Sequence, residues 1–155
     1  MLTDLCQELR NWFDRYQPKI NGKFVIEGGQ LYFADSAGNI PMTDKGLQND
    51  QYIRIIGSVF NDGVQQYKIS GSGLKDEQFC GAVWFMAVPP AVLALNTDID
   101  NWIAKYGEAT QSPYNSESFG GYSYSKGTAT GGANGSAGTT WQSTFKSRLN
   151  KWRKL

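Results

Sequence analysis

The chain has 155 residues, 40% of them hydrophobic, which is typical of one globular domain. It contains no histidine and two cysteines, so Ser-His-Asp triads, Cys-His dyads and Cys/His zinc sites are excluded. The net charge of +1 is unevenly spread, since five of the 15 cationic residues and none of the 14 acidic ones lie in the last seventeen positions, leaving −4 on residues 1–138. This asymmetry favours an acidic partner for the C-terminal end.

The N-terminal segment is predicted to form a helix from about Thr3 to Tyr16 that ends before Pro18. We interpret its apolar stripe as core packing. The residues of the stripe are Leu2, Leu5, Leu9, Trp12, Phe13 and Tyr16.

Two β-hairpins are predicted between about Asn21 and Ser70. The runs KFVIE and QLYFA flank the turn Gly28-Gly29, and the runs QYIRIIGSVF and VQQYKI flank the turn Asn61-Asp62-Gly63. The polar segment between the hairpins, residues 35–50, is predicted to be a surface loop. The whole region is interpreted as a small β-rich insert.

Helix is predicted again from Asp76 to Gly107. Because Pro89-Pro90 interrupts this segment, we expect two helices or one sharply kinked helix. The next segment, 108–138, is rich in Gly, Ser and Thr. Its aromatic first half is predicted to form an extended arm, and Lys126–Gly138 a flexible linker.

A C-terminal amphipathic helix is predicted from Thr139 or Thr140 to the end of the chain. It carries five cations and an apolar stripe. Two interpretations stay open, because the stripe is suited either to its own domain or to a neighbouring subunit that a tethered helix can reach. The stripe consists of Trp141, Phe145, Leu149 and Trp152.

The fold class expected from these elements is α+β. We predict a small helical bundle, made of the N-terminal helix, the central Pro-kinked helical pair and the C-terminal helix, with an inserted β-hairpin-rich subdomain and a Gly/Ser-rich extended segment. The expected parts are a body at 1–107 containing the insert at about 21–70, an arm and linker at 108–138, and the helix at 139–155.

The sequence shows no pattern that carries catalysis. It has no phosphate-binding loop, and the carboxylate pairs Asp76-Glu77 and Asp98/Asp100 are interpreted as a helix start or a solvated face. We therefore predict no catalytic residue, cofactor or metal, and rank an enzyme that uses paired carboxylates last. A small DNA-binding protein that uses the basic C-terminal helix is the alternative, although the −4 charge on residues 1–138 argues against it.

Four segments together resemble the head-tail connector (adaptor) family of tailed bacteriophages. They are LTDLCQELRNWFD, AVLALNTDIDNWIAKYG, SESFGGYSYS and WQSTFKSRLNKWRKL, about half of the chain. The resemblance implies a structural virion protein without enzymatic activity that forms a ring, expected to be a dodecamer, beneath the portal. Such a ring extends the DNA channel and provides a docking surface for the next neck or tail protein.

The resemblance also implies partners and interface residues. The partners would be the portal protein, other copies of this chain and a neck, stopper or tail protein, while DNA passes through without specific binding. No membrane partner is expected, because the longest apolar run, Gly81–Leu95, is too short to span a bilayer and contains Pro89-Pro90. The expected location is the head-tail junction of the virion, after synthesis in the host cytoplasm. The candidate portal or subunit contacts are Ser116, Glu117, Ser118, Phe119, Tyr122, Tyr124, Trp141, Phe145, Arg148, Leu149, Trp152 and Arg153.

Overall fold

A six-stranded antiparallel sheet is the centre of the fold in the computed structural model, which describes residues 1–111, 116–119, 122–125 and 140–154. Side chains are described for residues 1–106 and 140–154. The strands of the sheet are β1 (Lys19–Glu27), β2 (Gln30–Asp35), β3 (Gly38–Pro41), β4 (Tyr52–Ile56), β5 (Gly63–Gln66) and β6 (Glu77–Phe85). Their spatial order is β3-β2-β1-β6-β4-β5, with every neighbouring pair antiparallel.

Helices occupy the two ends of the described chain and the segment after the sheet. The first is α1 (Leu2–Glu8), and a 3-10 helix (Met42–Lys45) follows β3. The others are α2 (Pro90–Gln111), α3 (Trp141–Thr144) and α4 (Lys146–Asn150). Between α2 and α3, β7 (Ser116–Phe119) and β8 (Tyr122–Ser125) form a separate two-stranded sheet.

The predicted small helical bundle with an inserted β-rich subdomain is wrong, because the sheet is the centre of the fold. The decisive segment is β6, which was predicted to be helical but pairs with β1 on one side and β4 on the other. Its second half, GAVWF, is an apolar run that packs on both faces. A continuous apolar run shows neither the two-residue period of a half-buried strand nor the 3.6-residue period of an amphipathic helix. The sequence pattern therefore does not distinguish a buried strand from a buried helix.

The N-terminal helix is shorter than predicted. It ends at Glu8, and three later residues adopt left-handed backbone conformations, with φ of 50° at Arg10, 51° at Phe13 and 61° at Tyr16. Phe13 still packs on the same core as Leu5 and Leu9, with its ring 6.2 Å from that of Trp152. Trp12 instead stacks on Arg54, and Tyr16 is 89% exposed. The helical spacing therefore continues in the sequence beyond the point where the helix ends.

Both hairpins predicted from the sequence are confirmed. Glu27 pairs with Gln30 around the Gly28-Gly29 turn, and β4 pairs with β5. The second connection is longer than the predicted turn, since pairing resumes only at Gly63. The segment predicted to be a surface loop contains β3 and the 3-10 helix. The expected kink is absent from α2, because Pro89 precedes the helix and Pro90 is its first residue, a position that needs no backbone N–H.

The described residues form two apolar cores. The first joins side chains from the strands of the large sheet with Met42, Leu47, Tyr67 and Leu74 from the connecting segments. The second joins α1, α2 and α4. The buried members of the second core come from both ends of the chain, which brings the N- and C-terminal segments into one helical layer. These members are Leu5, Leu9, Val92, Leu95, Ile99 and Leu149.

Candidate docking surfaces

The predicted apolar stripe of the C-terminal helix packs against its own chain. Thr140 caps the segment, since its side chain accepts a hydrogen bond from the Ser143 backbone N–H at 3.3 Å. Leu149 is fully buried in the helical core, and Trp141, Phe145 and Trp152 pack around it. Of the two interpretations left open by the sequence, packing on its own domain is the one observed.

Polar contacts also join the C-terminal segment to the body. Arg148 forms an ion pair with Asp98 of α2 at 2.7 Å, and Arg153 forms one with Glu8 of α1. The backbone N–H of Lys154 donates to the Leu9 carbonyl at 3.0 Å. The two predicted arginine contacts are therefore engaged within the chain.

A basic groove lies where the two ends of the chain meet. It has a volume of about 710 Å³ and is lined by Gln7, Glu8, Leu9, Arg10, Arg153 and Lys154. One of its three cations, Arg153, is paired with Glu8, and Arg10 and Lys154 are exposed. An acidic partner surface would complement the positive charge of this groove.

The predicted Ser-Glu-Ser segment forms the hairpin of β7 and β8, with Glu117 opposite Tyr124 and Phe119 opposite Tyr122. Since successive residues of a strand alternate between faces, this register places these four residues on one face. The other face holds four serines, at positions 116, 118, 123 and 125. The predicted linker, Lys126–Gly138, lies outside the described residues.

One cluster that sequence reasoning missed stacks two cations on two tryptophans. The Arg54 guanidinium lies 3.5 Å from the Trp12 ring centroid and 4.8 Å from that of Trp84, and Lys19 Nζ lies 4.5 Å from Trp84. Burial lowers the pKa of Arg54 despite nearby carboxylates. Burial alone would raise the pKa of Asp14, but the Lys19 ammonium at 2.5 Å holds it below its usual value. These residues come from distant segments, so no sequence spacing predicts the cluster.

Both cysteines are free thiols. Cys6 is buried in α1, and burial raises the pKa of its thiol to about 12, against the opposing effect of the Arg54 charge. Cys80 is exposed, although its sequence neighbours are apolar, because it lies on the sheet face opposite the first core. Cys6 therefore stays protonated at neutral pH.

A second feature missed by sequence reasoning is the connection between β4 and β5, called here the 57–62 loop. Its Ser58 and Asn61 are buried, whereas Val59 and Phe60 are 82% and 60% exposed. The Glu77 carboxylate accepts hydrogen bonds from the Ser58 hydroxyl, from Asn61 Nδ2 at 2.5 Å and from the Val59 backbone N–H at 3.1 Å. This carboxylate therefore holds the loop in one conformation.

We predict that Glu77 makes the loop sensitive to acid. Burial opposes ionisation of Glu77, but the hydrogen bonds from Ser58, Asn61 and Val59 outweigh it and lower its pKa. The contribution of ionised Glu77 to the stability of the fold is therefore complete above the ordinary glutamate pKa of about 4.3. It is lost as the pH falls through the lower pKa that Glu77 has in the folded protein. Glu77→Gln should lower the free energy of unfolding by about 1–3 kcal/mol at neutral pH.

Thermal unfolding of Glu77→Gln and wild type from neutral to acidic pH tests this prediction. The variant should lose the part of the acid dependence that Glu77 contributes. Asp76→Asn is the matched control, because Asp76 is adjacent and exposed and should change stability by less than about 0.5 kcal/mol. Equal effects of the two variants would contradict the role of Glu77.

Comparisons with protein-family models, with curated proteins and with solved structures find no match for this chain. Within the described ranges, no helix is long and apolar enough to cross a membrane. Among the same residues, no group of three or more acidic, cysteine or histidine side chains comes together as a metal site.

Proposed function

We propose that this protein is a structural head-tail adaptor of a tailed bacteriophage virion. In this role it forms a ring beneath the portal, extends the DNA channel and docks the next neck or tail protein, without catalysis. The observation that carries the proposal is the β7–β8 hairpin, which forms a sheet of its own outside the six-stranded sheet.

The hairpin is suited to docking on another protein. A two-stranded hairpin is at best marginally stable in water by itself, so packing against a partner surface would stabilise it. Its register places Phe119, Tyr122 and Tyr124 on one face, and aromatic residues are favoured anchors of protein interfaces. We infer that this aromatic face binds the portal.

The C-terminal segment would contribute charge rather than apolar anchors. Leu149 is buried in the helical core and the other three stripe residues are partly buried against it, whereas Lys146, Lys151 and Lys154 are exposed. These lysines and the basic groove would meet an acidic portal surface. The net charge of −4 on residues 1–138 suits a channel wall that does not hold the phosphates of passing DNA.

Replacing Phe119, Tyr122 and Tyr124 together by serine tests the proposal. We expect portal binding to weaken by at least roughly 30-fold, since truncation of an aromatic anchor costs about 2 kcal/mol or more. Binding is measured as the mass that the adaptor adds to purified portal. The stability of the body should stay unchanged, because the hairpin lies outside the six-stranded sheet.

The matched control replaces Ser123 and Ser125, which lie on the opposite face and are not candidate contacts, by alanine, and should bind the portal like wild type. Equal binding by wild type and the aromatic variant would contradict the hairpin's role. Deleting the C-terminal segment is a poor test, because it removes Leu149 from the core.

The basic groove also supports the alternative of DNA binding, since Arg10, Arg153 and Lys154 line it. The two functions differ in their response to salt. DNA binding through several phosphates weakens steeply as salt rises, whereas aromatic docking on the portal responds less. Salt-sensitive retention of DNA together with no portal binding would favour the alternative.

A further inference from the structure

A polar cleft of about 470 Å³ lies where β6 ends and β4 begins. Its volume falls within the roughly 300–1,000 Å³ typical of small-molecule sites. Two of its lining residues, Phe85 and Met86, are almost fully buried, so the surface that a ligand meets comes mainly from polar side chains. The polar residues that line the cleft are Gln17, Gln48, Asn49, Asp50 and Gln51.

The wall between the 3-10 helix and β4 is held in one conformation by its own hydrogen bonds. The Gln48 backbone N–H donates to Gln51 Oε1 at 3.1 Å. Asn49 Oδ1 accepts from the Ile69 backbone N–H at 2.9 Å, and Asn49 Nδ2 donates to Asp50 Oδ2 at 2.8 Å. Because this wall is ordered in advance, a ligand that binds it loses little free energy to ordering of the protein.

Hydrogen-bonding groups from two separate segments remain free in the cleft. Among the described residues, the side-chain amides of Gln17 and Gln48 have no hydrogen-bond partner, and one carboxylate oxygen of Asp50 is also unpaired. Each carboxamide offers two N–H donors and a carbonyl acceptor, whereas a carboxylate only accepts. A ligand with several hydroxyl groups matches this mixture, because each hydroxyl both donates and accepts.

The charge of the cleft favours a neutral ligand. Among the described residues that line it, Asp50 is the only charged one. An anionic ligand would approach this carboxylate with no lysine or arginine in the lining to compensate the repulsion. A cationic ligand would pair with Asp50 but would leave the N–H groups of the two free amides without an acceptor.

An exposed aromatic residue, Tyr16, directly precedes the cleft residue Gln17 in the chain. Its side chain is 89% exposed, and the Arg15 guanidinium, 4.9 Å from the ring centroid, covers at most one face of the ring. The φ of 61° at Tyr16 is left-handed, which is unusual for an aromatic residue and persists only where the surrounding structure holds it. The ring is therefore kept in water within reach of a ligand that extends from the cleft.

We propose that this cleft binds a neutral saccharide. The Gln17 and Gln48 amides and the Asp50 carboxylate hydrogen-bond to its hydroxyl groups. The Tyr16 ring packs against the apolar C–H face of a sugar ring that extends from the cleft. This inference goes beyond the proposed function and does not depend on it, because the cleft takes no part in the proposed portal contact.

Heteronuclear NMR titration of the isotope-labelled full chain tests the proposal with four neutral disaccharides: cellobiose, lactose, mannobiose and N,N′-diacetylchitobiose. At least one should bind with a dissociation constant of about 1 mM or below, the affinity that a few net hydrogen bonds provide. The side-chain NH2 signals of Gln17 and Gln48 should shift on binding. Replacing both glutamines by alanine should weaken binding roughly tenfold. Tyr16→Asn should weaken it as well and stay folded, because asparagine tolerates a left-handed backbone.

Gln78→Ala is the matched control, since Gln78 is exposed on β6 outside the cleft, and it should bind the disaccharide like wild type. Glucose and glucuronate test the preference for a neutral ligand, and glucose should bind more tightly. Three outcomes would overturn the proposal: no binding of any disaccharide up to the tens-of-millimolar range, wild-type affinity in both cleft variants, or tighter binding of glucuronate than of glucose.

Discussion

Gly81→Ala is expected to lower the free energy of unfolding by about 3 kcal/mol or more, a large part of the roughly 5–15 kcal/mol typical of a domain. A Cβ at Gly81 would overlap the Ile56 carbonyl oxygen, which is backbone and cannot rotate away. Gly57 approaches from the same side, since its own Cβ would lie 2.8 Å from the Cys80 carbonyl oxygen. The substitution would therefore separate β4 from β6, the pair that joins the 57–62 loop to the rest of the sheet.

Chemical denaturation of the variant measures this loss, and Cys80→Ala is the control. Cys80 is the preceding residue and its side chain is exposed, so its truncation should change stability by about 0.5 kcal/mol or less. If Gly81→Ala unfolded at the same denaturant concentration as Cys80→Ala, the close approach of β4 to β6 would be disproved.

Leu149→Ala is expected to lower the free energy of unfolding by about 2–5 kcal/mol. Leu149 is fully buried between α1 and α2, so its truncation leaves a cavity in the core that joins both ends of the chain. Ion pairs of the same segment with Glu8 and Asp98 are too exposed to compensate. Thermal or denaturant unfolding of the full chain measures the loss.

Ser147→Ala is the matched control, because Ser147 lies exposed two residues earlier in α4 and should have an effect below about 0.5 kcal/mol. Leu149→Ala with wild-type stability would mean that the C-terminal segment leaves the body in solution. In that case its apolar stripe would again be available as an anchor for a neighbouring subunit.

The predictions that succeeded depend on short-range signals. The Gly28-Gly29 turn between two β-branched and aromatic runs identified the first hairpin. The stripe from Trp141 to Trp152 identified the C-terminal segment as helical, but the single helix predicted to the end of the chain is wrong, because the segment divides at Phe145 into α3 and α4 and the second ends at Asn150. In each case the residues that decide the local structure are close in sequence. Turn geometry and helical spacing depend on a few neighbouring residues, so both can be predicted from the sequence without the tertiary structure.

The candidate docking surfaces were only partly predictable. The sequence singled out the Ser116–Tyr124 segment, and its strand pairing came from the structure. Glu77 was interpreted as part of a helix start or a solvated face, yet its partners Ser58, Val59 and Asn61 lie 16 to 19 residues away. The 57–62 loop joins β4 to β5, whereas Glu77 begins β6. Only the pairing of these strands in the sheet places them side by side, so no local sequence pattern predicts the contact.

The sequence by itself determined the two hairpins, the C-terminal amphipathic segment, and the absence of histidine-dependent chemistry. The tertiary structure alone decided that β6 is a strand, because Phe79 pairs with Phe24 across 55 residues of chain. It also decided which partner the apolar stripe of the C-terminal segment meets. The hydrophobic effect is non-directional, so the identity of an apolar residue does not specify which surface will bury it. That surface is determined only when distant segments come together in the fold.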